Sequence, residues 1–192
     1  YDVGTFTGTH GLGHVRLATE SDVKPEAAHP FWATGFGDVA ITDEEAGPTA
    51  ATDGMSRLLM TTGEVLGNAS VRGTSSFVTS QPMPVIDDPV LSFDYRFVSE
   101  EFDENVGAVH DDSFLVVAHG RAGVVFEEVT SVNRIGTEDS SDVSFPGLLG
   151  AEANEWQTHR VTDFNTLGAD STISLFITDV GSTVRTSAVS VD

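Results

Sequence analysis

The sequence predicts an all-β protein, a jelly-roll-like β-sandwich with long loops and one or two short helices. Three observations carry that expectation. Short segments rich in Val, Ile, Phe and Thr recur through the C-terminal two thirds; several alternate apolar and polar residues; and 19 glycines and 7 prolines punctuate the chain. Alternation at period two turns one strand face toward a core, and short strands divided by Gly, Asp and Ser turns bury those faces as two packed sheets.

Residues 1–50 mix turn chemistry with short apolar pieces and read as an edge strand plus long loops, where binding residues tend to sit. The segment DGMSRLLMTTG (53–63) is the best helix candidate, with Asp53 as N-cap and Gly63 as stop. QPMPVIDDPV (81–90) is a proline-marked approach to a strand. LSFDYRFVS (91–99) follows, with Leu91, Phe93, Tyr95 and Phe97 on one face and Ser92, Asp94 and Arg96 on the other. SFLVVAHG (113–120), GVVFEEVTSV (123–132), QTHRVTDF (157–164) and STISLFITDV (171–180) are the remaining strand candidates, and a short helical turn is expected near Leu149 to Trp156. No repeat of fixed period and no low-complexity tract interrupts this order, and 192 residues with 39% hydrophobic content suit one domain.

The net charge of −21 comes from 30 acids against 9 bases, and Lys24 is the sole lysine. That balance excludes nucleic acid and anionic lipid as expected partners, because phosphate binding runs on clustered Lys and Arg. It suits cations, basic partners or a salt-rich setting that screens repulsion. The absence of cysteine removes disulfides and thiolate metal sites. No apolar run approaches the roughly 18 residues of a membrane span, so membrane insertion is not expected. A start at Tyr1 without Met is expected of an excised domain or a processed product.

The strongest chemical feature is FVSEEFDENVGAVHDDSFLVVAHG (97–120). Between two candidate strands it places Glu100, Glu101, Asp103, Glu104, Asp111 and Asp112, with no Lys or Arg from Ser99 to Ser113. A retaining glycosidase of the laminarinase type would need Glu-x-Asp followed, after one or two residues, by a second Glu. Glu101-Phe102-Asp103 supplies the first half, but Asn105 and Val106 stand where that Glu should be. Serine and cysteine nucleophile motifs are absent, and no catalytic residue is assigned. His10 and His14 are four apart in the Gly-rich GTHGLGH, where helical zinc spacing has no meaning. Phe31, Trp32 and Phe36 read more readily as a plug for one end of the sandwich than as a sugar-stacking platform. Asn68-Ala69-Ser70 matches a glycosylation sequon, a pattern too short to carry weight.

Calcium answers the acidic cluster chemically, since it takes six to eight oxygens from carboxylates, carbonyls and water. Two carboxylates about 4 Å apart repel by roughly 1 kcal/mol in water and roughly 4 at an effective dielectric of 20, so several near a strand end call for a counter-ion. The residues offered are Glu100, Glu101, Asp103, Asp111 and Asp112; a solvated acidic loop is the plain alternative.

Residues 54–192 resemble the choice-of-anchor L type domains of bacterial surface proteins and the related calcium-dependent peptide-binding domains of large repeats-in-toxin adhesins. The resemblance rests on GMSRLLMTTGEV (54–65), on LSFDYRFVSEEFDENVGAVHDDSF (91–114), in which an aromatic strand runs into Ser-Glu-Glu-aromatic and then an acidic pair, and on SLFITDVGSTVRTSAVSVD (174–192). It implies Glu100, Glu101, Asp111 and Asp112 as calcium ligands, with Asp179 added. Ser182 and Thr186 stand where the family usually has acids, which counts against a second cation site there. The resemblance further implies an extracellular, non-enzymatic module of a bacterial surface adhesin, monomeric within a larger chain. Its calcium would hold a peptide or protein ligand on another cell, with Glu101, Asp103, Asn105 and Asp111 as ligand-contacting positions. An open coordination position on the ion could accept a C-terminal or Asp carboxylate of that ligand.

Overall fold

A computed structural model describes residues 10–13, 31–36, 38–42, 57–63, 75–83, 90–102, 106–109, 111–136, 139–145, 147–168, 170–180 and 185–192. The first part of the described chain forms β1 (His10–Gly13), β2 (Phe31–Phe36), β3 (Asp38–Thr42), β4 (Arg57–Thr61) and β5 (Ser75–Thr79). Next come β6 (Ser92–Ser99), β7 (Ser113–Gly120), β8 (Gly123–Ser131), the single-turn helix α1 (Val132–Ile135) and β9 (Ser140–Asp142). The chain closes with β10 (Glu152–Asn154), β11 (Gln157–Arg160), a 3-10 turn at Phe164–Thr166, β12 (Thr172–Thr178) and β13 (Ser187–Val191).

The strands form two antiparallel sheets. One runs β1-β2-β5-β12-β7-β8; the other runs β3-β4-β13-β6-β10-β9, with β11 also paired to β6. Their facing sides share one core, in which Phe93 and Phe97 of β6, Val189 of β13 and Met60 of β4 meet Phe114 and Val116 of β7 and Ile177 of β12. Phe114 bridges the sheets directly, its ring centroid 6.0 Å from Phe93 and 5.8 Å from Tyr95. The β-sandwich expected from the sequence is therefore the fold, and the alternation read in 91–97 is real: Leu91, Phe93, Tyr95 and Phe97 are all buried.

Two expected helices are strands. Arg57–Thr61 is β4, paired with β3 on one side and β13 on the other, and Glu152–Asn154 is β10, paired with β6 and β9. Both are buried at every position, and the reason lies in a second apolar cluster. Phe145, Leu148 and Ala151 fold over the outer side of the seven-stranded sheet, onto Leu59, Val98, Ala153 and Ala188. A strand buried on both faces loses the alternation that would distinguish it from a helix. Asp53 to Ser56, the expected helix start, lie outside the described residues.

Two connections change sheets at the same end of the sandwich. The chain leaves β6 at Ser99 and enters β7 at Ser113, and it leaves β12 at Thr178 and enters β13 at Ser187. Ladder pairs Ser99 with Ser187 and Thr178 with Ser113 bring these four strand ends together. The acidic stretch forms the first crossing and Asp179 opens the second.

Candidate functional site

The crossing places two carboxylates in the interior. Glu101 and Asp112 are both 0% exposed, one just after β6 and the other just before β7. Val180 donates its backbone N–H to Asp112 Oδ1 at 2.9 Å, tying the second crossing to the first. Asp112 Oδ2 is buried and accepts no hydrogen bond. The hydroxyl of Ser187 lies beside it, but donates to Ser99 Oγ at 2.7 Å, and Ser99 Oγ also accepts the Glu101 amide at 3.0 Å.

Burial raises the Asp112 carboxyl to about 7; the Ser187 hydroxyl and the Val180 amide oppose that shift, while the negative charges of Glu101 and Asp179 add to it. Removing a carboxylate from water disfavours its charged form, and two neighbouring acids disfavour it further.

Glu100 and Asp111 have a different role. Both oxygens of Glu100 accept backbone amides, Leu149 at 2.6 Å and Thr186 at 2.9 Å, so this carboxylate clamps the covering segment and the start of β13 to the end of β6. Asp111 Oδ1 accepts the Asn133 amide at 2.8 Å and holds the first turn of α1. Asp179 is half-buried after β12. Asp103, Glu104 and Asn105 lie outside the described residues. So do Ser182, the Asn68 sequon and His14. Phe31, Trp32 and Phe36 belong to β2, with their side chains outside the description.

Among the described residues, no group of three or more His, Asp or Glu side chains is arranged to hold a metal ion. What the structure brings together is the interior pair Glu101 and Asp112, with Asp179 close enough to act on Asp112. Direct ligand contact by Glu101 does not fit a side chain with no exposed surface. The same burial leaves it no face for a sugar, against the glycosidase spacing considered above. One cation reaches this end from far along the sequence: Arg185 donates to the Glu100 carbonyl oxygen at 2.5 Å. Arg185 stands two residues before β13, a position whose relation to Glu100 follows only from the pairing of β13 with β6.

Sequence reasoning also missed a cross-sheet pair. Glu127 on β8 points inward to His159 on β11, Oε2 to Nε2 at 2.9 Å, and its Oε1 accepts the Thr162 amide at 2.9 Å. Burial works to raise the Glu127 carboxyl, but the hydrogen bonds from Thr162 and His159 outweigh it and hold the group below its ordinary value. A cavity of about 320 Å³ lined by Arg160, Thr162, Asp163 and Asn165 lies near this pair, at the Ser92 end of β6 and so away from the acids.

No protein-family model matches the chain. The glutamine amidotransferase-like protein GlxB of Rhizobium meliloti (strain 1021) is 55% identical over 31 residues, which is 16% of this chain. The chain spans about a tenth of that relative's length, 10%. Among solved structures, a carbohydrate-binding module of the β-sandwich superfamily aligns at 9% identity and a TM-score of 0.38, over 84% of this chain and 54% of its own. The xylan-binding domain of CBM 22 aligns at 10% identity and a TM-score of 0.33, over 93% and 92%. The enzymatically active domain of bacteriophage CBA120 tailspike protein 4 aligns at 12% identity and 0.35, over 84% of this chain and 18% of that one. No helix of the described residues is long and apolar enough to cross a membrane.

Proposed function

We propose that this protein is a calcium-dependent binding module of a bacterial surface adhesin, acting outside the cell and without catalysis, with its ion at the Glu101–Asp112 end of the sandwich. The carrying observation is Asp112 Oδ2, a carboxylate oxygen in the interior with no hydrogen bond, facing the same crossing as the buried Glu101. Burying like charges costs several kcal/mol per ion unless a partner compensates, and calcium is a hard cation suited to carboxylate oxygens. The resemblance of residues 91–114 to the adhesin domains supports the same assignment. Asp179, half-buried at the start of the second crossing and close enough to act on Asp112, is an additional oxygen donor. The proposed ligand is a peptide or protein on another cell, held through a carboxylate at an open position of the ion.

Thermal unfolding with calcium and with chelator tests the reading, because an ion bound to the native state alone raises the melting temperature with its concentration. An unchanged melt across millimolar calcium removes the cation. Peptides differing only in a free or amidated C-terminus then test the ligand: binding indifferent to amidation removes the terminal-carboxylate contact.

Carbohydrate binding on the same sandwich is a second reading, favoured by one observation. Phe77 on β5 and Phe176 on β12 stack with centroids 5.5 Å apart on a sheet face away from the core, and both keep part of their surface in solvent.

A further inference from the structure

The two strands that carry this stack share a pattern. β5 reads Ser75-x-Phe77-x-Thr79 and β12 reads Ser174-x-Phe176-x-Thr178, and they pair antiparallel with Phe77 opposite Phe176. Each Ser therefore meets a Thr. Ser75 Oγ donates to Thr178 Oγ1 at 2.9 Å, and Thr79 Oγ1 and Ser174 Oγ share a hydrogen bond at 2.7 Å. The result is a stacked aromatic pair, its planes 26° apart, with a bonded hydroxyl pair on either side. The Thr79–Ser174 pair uses one hydroxyl proton and leaves a second for a ligand, whereas Thr178 Oγ1 also donates to the Asp179 carbonyl oxygen at 3.5 Å.

The intervening residues Ile173, Leu175 and Ile177 are buried in the core, which turns Ser174, Phe176 and Thr178 outward. On β7, Leu115 and Val117 stand beside Phe176 and Ser174, and on the edge strand Phe126 stands beside Val117 with 65% of its surface exposed. The outer side of the other sheet is covered by Phe145 to Ala151, but among the described residues no segment is packed in that way on this face.

Charge selects the occupant. In a chain of net charge −21, the outward positions of β5, β12 and β7 carry no Asp, Glu, Lys or Arg. Glu128 of β8, exposed beside Leu115, and His119 of β7 lie at the margin of this face, and an anionic partner finds no Lys or Arg on β5, β12 or β7 to complement it. A neutral ligand with an apolar face and a rim of hydroxyls finds a complement there, because pyranose C–H groups lie against aromatic rings while ring hydroxyls bond to Ser and Thr.

Resting on the carbohydrate reading above, we infer that the outer face of the six-stranded sheet is a platform for a neutral polysaccharide, with Phe77 and Phe176 as its stacking floor and the Ser–Thr pairs as its polar rim. It works independently of the acidic end. The test is retention and titration calorimetry with three neutral polysaccharides (a β-glucan, a β-mannan and a β-galactan) and an acidic one (alginate), each in calcium and in chelator. The wild-type protein is expected to bind a neutral polymer and not alginate. F176L keeps apolar volume without a ring and should weaken binding tenfold or more, F176Y should restore it, and binding should be the same in calcium and in chelator. Melting curves of each variant check that the fold persists. Failure to bind any neutral polymer overturns the platform and the carbohydrate reading together. Neutral-polymer binding that survives F77L/F176L overturns the platform alone, as does a concentration-dependent dimer that F176L separates, which would assign this face to a second copy.

Discussion

Asp112 Oδ1 accepts the backbone amide of Val180 at 2.9 Å, across 68 positions of sequence, while its second oxygen accepts nothing. One side chain thus does two separable things: it joins the two crossings between sheets, and it keeps a second, buried oxygen without a hydrogen bond, the one assigned above to the proposed ion.

Substitution at Asp112 separates them. D112N keeps a carbonyl oxygen for Val180 and removes the charge, so in chelator it should melt at or above the wild-type temperature, while the rise on adding calcium disappears. D112A also loses the hydrogen bond and should be less stable than D112N by about 1–3 kcal/mol in chelator. Denaturant titrations with and without calcium measure both. A D112N protein still stabilised by calcium as strongly as wild type would place the ion elsewhere.

The Glu127–His159 pair links β8 of one sheet to β11 of the other and predicts a pH dependence with a definite sign. The folded glutamate is held below its ordinary value of 4.5, so the stability it adds is present above that value and is lost as pH falls through its folded value. E127Q should therefore be less stable than wild type near pH 6, by about 1–2 kcal/mol for weakened bonds to His159 and Thr162. The difference should shrink below the ordinary glutamate range and vanish in stronger acid. Urea midpoints for both proteins between pH 3 and 7 give the curve, and a gap that widens toward low pH would contradict the assignment.

Phe114 has no exposed surface and touches Phe93 and Tyr95 of the opposite sheet. Replacing it with alanine empties the middle of the shared core, a loss of about 3–5 kcal/mol for Phe to Ala. For Phe126, which is 65% exposed at the edge of the other face, the same substitution should change stability by less than about 0.5 kcal/mol. The contrast, read as two denaturant midpoints, tests which side of the six-stranded sheet is the core.

The strands that could be read from sequence are those whose two faces meet different surroundings. β6 and β12 alternate because one side meets the core and the other lies partly in solvent. β4 and β10 could not be read that way, since the Phe145–Ala151 segment covers their outer side and every position is buried. At the acidic end, sequence showed a run of acids but not which of them would be buried and which would bind backbone amides. Glu100 and Glu101 are adjacent and chemically identical, yet one accepts two amides from Leu149 and Thr186 and the other is sealed in the interior. That difference comes from partners 49 and 86 positions away, which no local pattern encodes. The paired Ser-x-Phe-x-Thr strands did leave a signal, the same five-residue spacing at 75–79 and 174–178, whose meaning depends on the antiparallel register.

Glu100 gives the sharpest test of that division. If its carboxylate is a clamp, E100A frees the Leu149 and Thr186 amides and loosens both the covering segment and the start of β13. The cost should be about 1–3 kcal/mol, since charge-assisted bonds to backbone amides are among the stronger hydrogen bonds. The loss should be equal in calcium and in chelator, and hydrogen exchange at Leu149 and Thr186 should quicken in both. E100Q keeps one acceptor oxygen and should fall between. A calcium ligand behaves differently: its removal lowers the melting temperature in calcium and leaves the chelated protein little changed. Equal losses in the two conditions for E100A, beside a calcium-specific loss for D112N, would fix the boundary between the residues that shape this end of the sandwich and those that hold the ion.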